Sequence, residues 1–294
     1  MPPGPTSRIA AAPISWGVCE VPGWGYQLAP RRVLAELRAT GLRSTEAGPD
    51  GFLPADPRAA AALLAEHELT LVGAFVPVVL HEPRAAEAVE RAAARLREAG
   101  AGVAVLAAAG GQDTYDQRPE LDDAEWDALL ATLDEAAARC ARHGVRCALH
   151  PHVGTVVERE EDVERVLAGS AAELCLDTGH LLVGGTDPVA LAERAGDRVA
   201  HVHLKDVDAG LTARVRAGAL PYSEAVRDGL YRPLGQGTVD VRALVHGLED
   251  RGFDGYYVLE QDVMLAAEPA GGEGPAADVR ASAAHLRTLL EARR

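Results

Sequence analysis

Cysteine is scarce in this chain of 294 residues, and the four cysteines include no Cys-x-x-Cys pair. Zinc ribbons and disulfide frameworks both need closely spaced cysteines, so the sequence encodes neither. Cys147 and Cys175 fall in apolar runs and are expected to be buried strand residues. Cys19 follows a strand end, in a loop where its thiol could approach a ligand or act as a small apolar side chain.

Long apolar runs and excess positive charge are also missing. No run of about 18 apolar residues occurs, so no membrane span is predicted. The first eight residues lack the basic-then-apolar order of a secretory signal. The formal net charge is −15, which opposes binding to the phosphates of nucleic acids. These absences predict a cytoplasmic protein with neither a membrane nor a nucleic-acid partner.

The chain does contain a repeated alternation of short apolar runs with Ala-, Leu-, Arg- and Glu-rich stretches of helical period. Strands are predicted near 8–15, 42–47, 70–78, 102–109, 145–150, 173–177, 198–204 and 255–260. Helices are predicted near 30–40, 57–67, 83–99, 122–143, 159–168, 187–195, 239–251 and 276–292. Eight βα units over roughly 290 residues favour an α/β protein with a single (β/α)8 TIM barrel. A doubly wound sheet is the main alternative.

The predicted barrel occupies residues 8–294 as one domain, after a disordered N-terminal tail at 1–7. Two connections are longer than a plain barrel needs, at 16–29 and 207–237. Long ordered loops on the active face commonly form lids or substrate walls. We expect the first, which carries Trp16, to cover the substrate or to pack against the loop after the eighth strand.

Four polar clusters follow apolar runs: His150-Pro151-His152, Asp177-Thr178-Gly179-His180, His201 to Asp206, and Glu260-Gln261-Asp262. Barrel active sites form at the carboxyl ends of the strands, which would bring these clusters together. Imidazoles mixed with carboxylates are typical ligands of divalent transition metals. Because strand side chains alternate, His201 and His203 point to the same side, with His201 one layer deeper. The pattern predicts a metalloenzyme.

These motifs resemble those of the xylose-isomerase-like superfamily of metal-dependent barrels. The resemblance is carried by Leu176 to His180, His201 to Asp206, Gly235-Gln236-Gly237 and Leu259 to Asp262, and it covers about residues 8–290. Segments 12–17 (APISWG), 44–49 (STEAGP) and 150–155 (HPHVGT) further resemble the inosose dehydratase branch.

The resemblance implies one divalent metal held by His150, Asp177, His203 and Glu260. Manganese or cobalt is expected, with magnesium, iron or zinc as alternatives. Many isomerases and epimerases of the superfamily have glutamate at the position of His150. A metal-bound imidazole cannot serve as the second proton-accepting carboxylate of an epimerase, so the substitution favours a dehydratase.

The predicted reaction is therefore dehydration of a polyhydroxy ketone such as 2-keto-myo-inositol, through an enediolate. Glu46, His152, Lys205 and Glu260 are the candidate acids and bases, although Glu46 could instead form a salt bridge at the rim. The candidate substrate contacts are Trp16, His180, Asp206 and Gln236. Lys205 could stabilise a developing oxyanion.

Three other functions stay open. A ketose isomerase or epimerase would use the same enediolate, a sugar-binding barrel would lack catalysis, and an abasic-site endonuclease is opposed by the negative charge. No arginine triplet claims a phosphate, so the expected substrate is an unphosphorylated polyol or ketose. Superfamily resemblance suggests a homodimer or homotetramer.

Overall fold

Eight parallel strands close into a barrel in the computed structural model, which describes residues 4–292. The barrel strands are β1 (Ile9–Ala11), β2 (Ser44–Glu46), β3 (Thr70–Val78), β4 (Val103–Ala108), β5 (Arg146–Leu149), β6 (Glu173–Asp177), β7 (Val199–Leu204) and β10 (Tyr257–Leu259). Two short strands, β8 (Asp206–Val207) and β9 (Tyr231–Arg232), form a separate pair. Strands β1 to β7 follow chain order around the barrel, and β10 closes it between β7 and β1. The prediction of a TIM barrel is confirmed.

Helices alternate with the barrel strands. They are α1 (Pro30–Ala39), α2 (Pro57–Glu66), α3 (Ala85–Glu98), α4 (Asp123–Arg142), α5 (Glu160–Gly169), α6 (Thr178–Gly184), α7 (Pro188–Ala195), α8 (Ala209–Arg216), α9 (Tyr222–Arg227), α10 (Val241–Asp250) and α11 (Pro275–Glu291). Asp56 and Asp187 cap α2 and α7, each followed by proline, as the sequence indicates. Among residues 4–292 no helix combines the length and apolarity needed to cross a membrane.

The N-terminal segment differs from its prediction. Pro5–Arg8 forms a 3-10 turn, and the buried Arg8 side chain donates a hydrogen bond to the carbonyl of Phe253. The disordered tail predicted for 1–7 therefore does not extend to Pro5, and residues 1–3 lie outside the described part. Strand β1 is also shorter than predicted, because Pro13 begins a 3-10 turn that ends at Trp16.

The core has two parts. One extensive apolar cluster packs the helices onto the outside of the strands. Two smaller clusters contain mainly Ala and Val: Val103, Val105, Ala148, Cys175 and Ala200 in one, and Ala10, Ala12, Val72 and Val258 in the other. Ala148, Cys175 and Val258 each lie two positions before His150, Asp177 and Glu260 and share their face, so small apolar side chains fill the barrel beneath a polar upper layer.

The long connection at 207–237 is structured rather than a plain loop. It carries α8 and α9, and the short antiparallel pair of β8 and β9 holds its two ends together. Ser223 donates to Asp116 through both its backbone N–H and its hydroxyl, at 2.7 and 2.6 Å. These bonds join the insert to the loop after β4, and so help to wall the carboxyl end of the barrel.

Candidate active site

The four predicted metal ligands converge at the carboxyl end of the barrel. His150 directly follows β5, Asp177 ends β6, His203 lies in β7 and Glu260 directly follows β10. The strand register aligns Asp177 with His203, so their side chains project into the same layer. All four residues are buried, and even Glu260 is only 8% exposed.

Their donor atoms lie close enough to share one cation. His150 Nε2 is 3.2 Å from Asp177 Oδ2, which is 3.7 Å from His203 Nδ1. His203 Nδ1 is 3.1 Å from Glu260 Oε2. Ligands about 2.0–2.2 Å from a single ion are separated from one another by roughly 3 to 3.5 Å. The spacing therefore fits one divalent metal.

The hydrogen bonding of this cluster also favours a cation. His203 Nδ1 faces two carboxylates but has no hydrogen-bond partner among residues 4–292. Although burial alone would lower it, Cys175, Glu260 and Glu46 raise the pKa of His203 well above its ordinary value. A position that stabilises positive charge on an imidazole between carboxylates suits a bound metal ion.

Several overlapping donor groups surround these residues. The sets with ligand atoms close enough to hold an ion are Asp177, His203 and Glu260; His150, Asp177 and His180; His150, Cys175 and His203; and Glu46, His201 and His203. The first contains three of the four predicted ligands. His150 shares the second and third sets with Asp177 and His203 of the first, so its ligand atom lies beside that group.

Asp177 serves the local fold as well as the cluster. Its Oδ1 accepts from the backbone N–H groups of Gly179 and His180, at 2.9 and 2.8 Å, and thereby caps α6. Its Oδ2 faces His150 and Lys205. Gly179 allows this turn to approach Lys205, because a Cβ at Gly179 would lie 2.6 Å from Lys205 Cβ.

Glu46 enters the same layer from across the barrel. Its Oε1 lies 2.8 Å from His201 Nε2 and 3.1 Å from His203 Nε2. His201 lies one layer below His203, as its position in β7 predicts. Although burial by itself would raise it, His203 and His201 lower the pKa of Glu46 to about 2. Glu46 is thus an ionised carboxylate between two imidazoles, not a salt bridge at the rim.

Lys205 is surrounded by acidic groups. Its ammonium contacts Glu260 Oε2 directly, and it lies 2.9 Å from Asp262 Oδ1 and 3.3 Å from Asp177 Oδ2. Burial would lower the pKa of Lys205, but Asp177, Asp262 and Glu260 raise it well above its ordinary value. Lys205 is therefore a fixed positive charge beside the cluster.

His152 has a defined tautomer. Its Nδ1 donates to the Val153 carbonyl at 2.6 Å, which leaves Nε2 as the acceptor nitrogen. Burial, with His150 and Lys205 nearby, lowers the pKa of His152 to about 3, so the imidazole is neutral. Its ring packs 4.3 Å from Tyr115 and 3.7 Å from His180, measured between centroids.

One cavity opens onto these groups. Its polar wall contains Glu46, His150, His152, Lys205, Glu260 and Asp262, and its apolar wall contains Ala12, Pro13, Ile14, Val18, Trp24 and Phe75. Tyr115 donates to Glu20 at 2.5 Å and links the loops after β4 and β1 across the mouth. Such a cavity, with an apolar side and converging polar groups, is typical of a small-molecule site.

Four predicted substrate contacts lie elsewhere: within residues 4–292, the cavity lining does not include Trp16, His180, Asp206 or Gln236. The indole of Trp16 is fully buried and donates to Glu36 in α1. His180 packs behind His152, and its Nδ1 lies 3.3 Å from the Tyr231 hydroxyl.

Asp206 and Gln236 belong to the structure of the insert. The Asp206 carboxylate accepts from the backbone N–H groups of Gly235, Gly237 and Val239. These bonds hold the Gly-Gln-Gly turn, while the Gln236 side chain is exposed. The turn lies beside Asp206, where a Cβ at Gly237 would clash with its carboxylate.

Four polar residues of the cavity lining, Glu20, Tyr115, Tyr222 and Asp262, were not among the predicted site residues. Asp262 Oδ2 accepts from the Tyr222 hydroxyl at 2.9 Å, and burial raises the pKa of Asp262 to about 6 despite the nearby Lys205. Tyr222 lies in α9 of the insert, and Tyr115 lies in the loop after β4. The position of Asp262 after the last strand was a usable signal, whereas neither tyrosine falls in a recognisable motif.

The cysteines match their expected positions. Cys147 and Cys175 are buried in strands, and Cys19 is half-buried and lines the cavity. Burial and the adjacent Glu20 raise the pKa of the Cys19 thiol far above its ordinary value. Its thiol is therefore protonated at neutral pH and is not a nucleophile.

The sequence profile of the xylose isomerase-like TIM barrel family matches residues 34–289. The chain belongs to this family. Among solved structures, it superposes on L-ribulose 3-epimerase with a TM-score of 0.70 at 17% identity, covering 97% of this chain and 95% of the other. At that identity the likeness concerns the fold.

Curated relatives are more similar in sequence. The chain is 33% identical to an inosose dehydratase of Geobacillus kaustophilus, over 88% of this chain and 89% of the relative. It is also 33% identical to a rhizopine catabolism protein, MocC, of Rhizobium meliloti, over 87% of this chain and 81% of the relative. A further inosose dehydratase, from Lacticaseibacillus casei, is 26% identical over 87% of this chain.

Proposed function

We propose that this protein is a metal-dependent hydro-lyase that removes water from an inosose, a cyclic polyhydroxy ketone such as 2-keto-myo-inositol. The observation that carries the proposal is the buried cluster of His150, Asp177, His203 and Glu260 beside His152, whose Nδ1 is bonded to the Val153 carbonyl so that Nε2 is the acceptor nitrogen. Similarity to proteins named inosose dehydratase, over most of both chains, supports the choice of substrate.

His150, Asp177, His203 and Glu260 are the residues that would hold the metal, with manganese or cobalt as the proposed ion. A divalent ion in that position supplies Lewis acidity, which lowers the barrier to removing a proton next to a ketone. The protein's own residues must then bind the substrate, accept the proton and protonate the leaving group.

His152 is the proposed base. Its Nδ1–H is held by the Val153 carbonyl, so the Nε2 lone pair is the one available to the substrate. The position of His152 on the polar wall of the cavity supports this role. Proton transfer to Nε2 forms the enediolate and leaves His152 as an imidazolium.

Lys205 and Asp262 are the proposed partners of the two oxygens that gain charge. The Lys205 ammonium is held between Glu260 and Asp262, and its positive charge can stabilise the enediolate oxygen. As the enediolate reforms a carbonyl, a double bond forms between the α and β carbons and the bond between the β carbon and its hydroxyl oxygen breaks. The departing hydroxide takes a proton from the Lys205–Asp262 pair and leaves as water.

The charge of the cavity indicates a neutral substrate. Glu20, Glu46, Glu260 and Asp262 line it, and within the described residues Lys205 is the one basic side chain of the Lys or Arg type in the lining. Lys205 is already engaged by three carboxylates. A phosphate or carboxylate on the substrate would meet repulsion, whereas hydroxyl groups could donate to the acidic wall.

The test is to incubate the manganese-loaded protein with 2-keto-myo-inositol in deuterated water and to follow the products by NMR and mass spectrometry. Metal-dependent loss of water supports the dehydratase. An isomeric product that carries solvent deuterium, without water loss, would instead establish a ketose isomerase or epimerase. The absence of metal-dependent conversion of this substrate would overturn the proposal.

A further inference from the structure

We infer that Glu46 is a positioning residue: it holds the His203 imidazole so that Nδ1, rather than Nε2, is directed at Asp177 and Glu260. The inference rests on the metal site of the proposed function. It assigns Glu46 a role different from proton transfer to or from the substrate.

The geometry of the His203 ring carries the first step. Its two nitrogens face different carboxylates: Nε2 lies 3.1 Å from Glu46 Oε1, and Nδ1 lies 3.1 Å from Glu260 Oε2. An imidazole that binds a metal through one nitrogen commonly donates its other N–H to a carboxylate, which fixes the ring and strengthens the ligand. Glu46 occupies the place of that carboxylate.

The second step is that Glu46 is itself fixed. His201 donates to the same Oε1 at 2.8 Å from one layer below, and both Glu46 and His201 are buried. The register of β2 and β3 shifts between Thr45 and Glu46, so Glu46 is paired with Gly73. A Cβ at Gly73 would lie 3.0 Å from the Val103 carbonyl, so the glycine allows β4 to approach β3 closely at the level of Glu46.

The third step is chemical. With two imidazoles directed at one oxygen, that oxygen is committed to holding the rings. A base that must take a proton from carbon is more effective when its lone pair is not bound to neighbouring protein groups, and the proposed function assigns that task to His152 Nε2. The two residues thus divide the work: Glu46 acts through His203, and His152 acts on the substrate.

The experiment measures Co²⁺ binding to the native protein, Glu46→Leu and Glu46→Gln by competition with a chelator, with the visible absorption of cobalt reporting the ligand set. Loss of the acceptor should weaken Co²⁺ binding by about 10- to 100-fold in Glu46→Leu and change the spectrum. Glu46→Gln keeps an acceptor oxygen, so its affinity should lie between those of the native protein and Glu46→Leu.

Glu249→Gln is the matched control, because Glu249 is a nearly buried carboxylate paired with Arg8 at the other end of the barrel. Its cobalt affinity should equal that of the native protein. If Glu46→Leu does not fold, native-like affinity and spectrum in Glu46→Gln would still overturn the inference.

The two proposals fail in different ways. A native protein that does not bind Co²⁺ would overturn the metal-dependent function together with this role. Native-like cobalt affinity in both Glu46 variants, combined with loss of turnover at saturating metal, would overturn the positioning role alone and make Glu46 a catalytic residue.

Discussion

The two ends of the barrel both bury charge, but they pair it differently. At the amino end, Arg8 donates to both carboxylate oxygens of Glu249 and to the carbonyls of Phe253 and Gly255. At the carboxyl end, His203 Nδ1 lies between Asp177 and Glu260 and has no hydrogen-bond partner in the described chain. Buried polar groups that have all their hydrogen bonds stabilise the fold, whereas a buried polar atom without a partner marks a place where a ligand can bind.

The strongest test of this contrast is Asp177→Asn. The amide keeps an acceptor for the cap of α6 but removes the charge facing His150 and Lys205. Metal affinity should fall by more than the roughly 10- to 100-fold typical of groups behind the ligands, and turnover should fall with it. Chelator competition measures the first, and far-UV circular dichroism should show an intact fold. If this variant binds metal with native affinity, Asp177 is not a metal ligand.

His152→Phe separates catalysis from metal binding at the same end. The ring can still pack against Tyr115, but the acceptor nitrogen is lost. We expect kcat to fall by about 10²- to 10⁴-fold, the usual contribution of a general base. The cobalt affinity should be unchanged. A near-native kcat in this variant would show that the general base is a residue other than His152.

Arg8→Met tests the amino end. It leaves the nearly buried Glu249 without its cation, so the free energy of unfolding should fall by about 3 kcal/mol. Urea denaturation gives this value, and kcat of the folded enzyme should not change. Arg58→Met, which breaks a well-exposed pair with Glu98, is the matched control and should scarcely alter stability. A loss of metal affinity in Arg8→Met would show that the two ends are not independent.

Tyr115→Phe should have the smallest effect. It removes the hydrogen bond to Glu20 across the cavity mouth but keeps the ring against His152. A net contribution of about 1 kcal/mol should appear as a several-fold change in KM, with little change in kcat. Steady-state kinetics checks this. A large fall in kcat would instead place the hydroxyl in contact with the reacting atoms.

The sequence predicts the barrel well because eight repeats each carry their own signals. Strand β1 ends early since Pro13 stops it. Helix α6 was missed because Asp177 was interpreted only as a ligand, although an aspartate followed by Thr-Gly-His is also a helix cap. The insert at 207–237 lies outside the repeat, so periodicity gave no reason to expect α8, α9 or the cavity-lining Tyr222.

In the site too, residues on the barrel strands were predicted better than residues in the loops. The four predicted ligands cluster because strand alternation and the shared barrel end determine where they point. Trp16, Asp206 and Gln236 were assigned to the substrate from their loops, and loop membership does not determine side-chain direction. The indole of Trp16 instead binds Glu36, and Asp206 organises the insert. The bond from His201 to Glu46 crosses 155 positions of the chain, beyond any local pattern.

The two carboxylate oxygens of Asp177 make different contacts, and this limits which mutations the position can accept. One oxygen begins a helix and the other faces the cluster. Asparagine could preserve the first role and glutamate the charge of the second, but neither supplies both at the same distance. This position should therefore tolerate little drift. New specificities would be reached more readily through the insert, whose residues can vary without dismantling the centre.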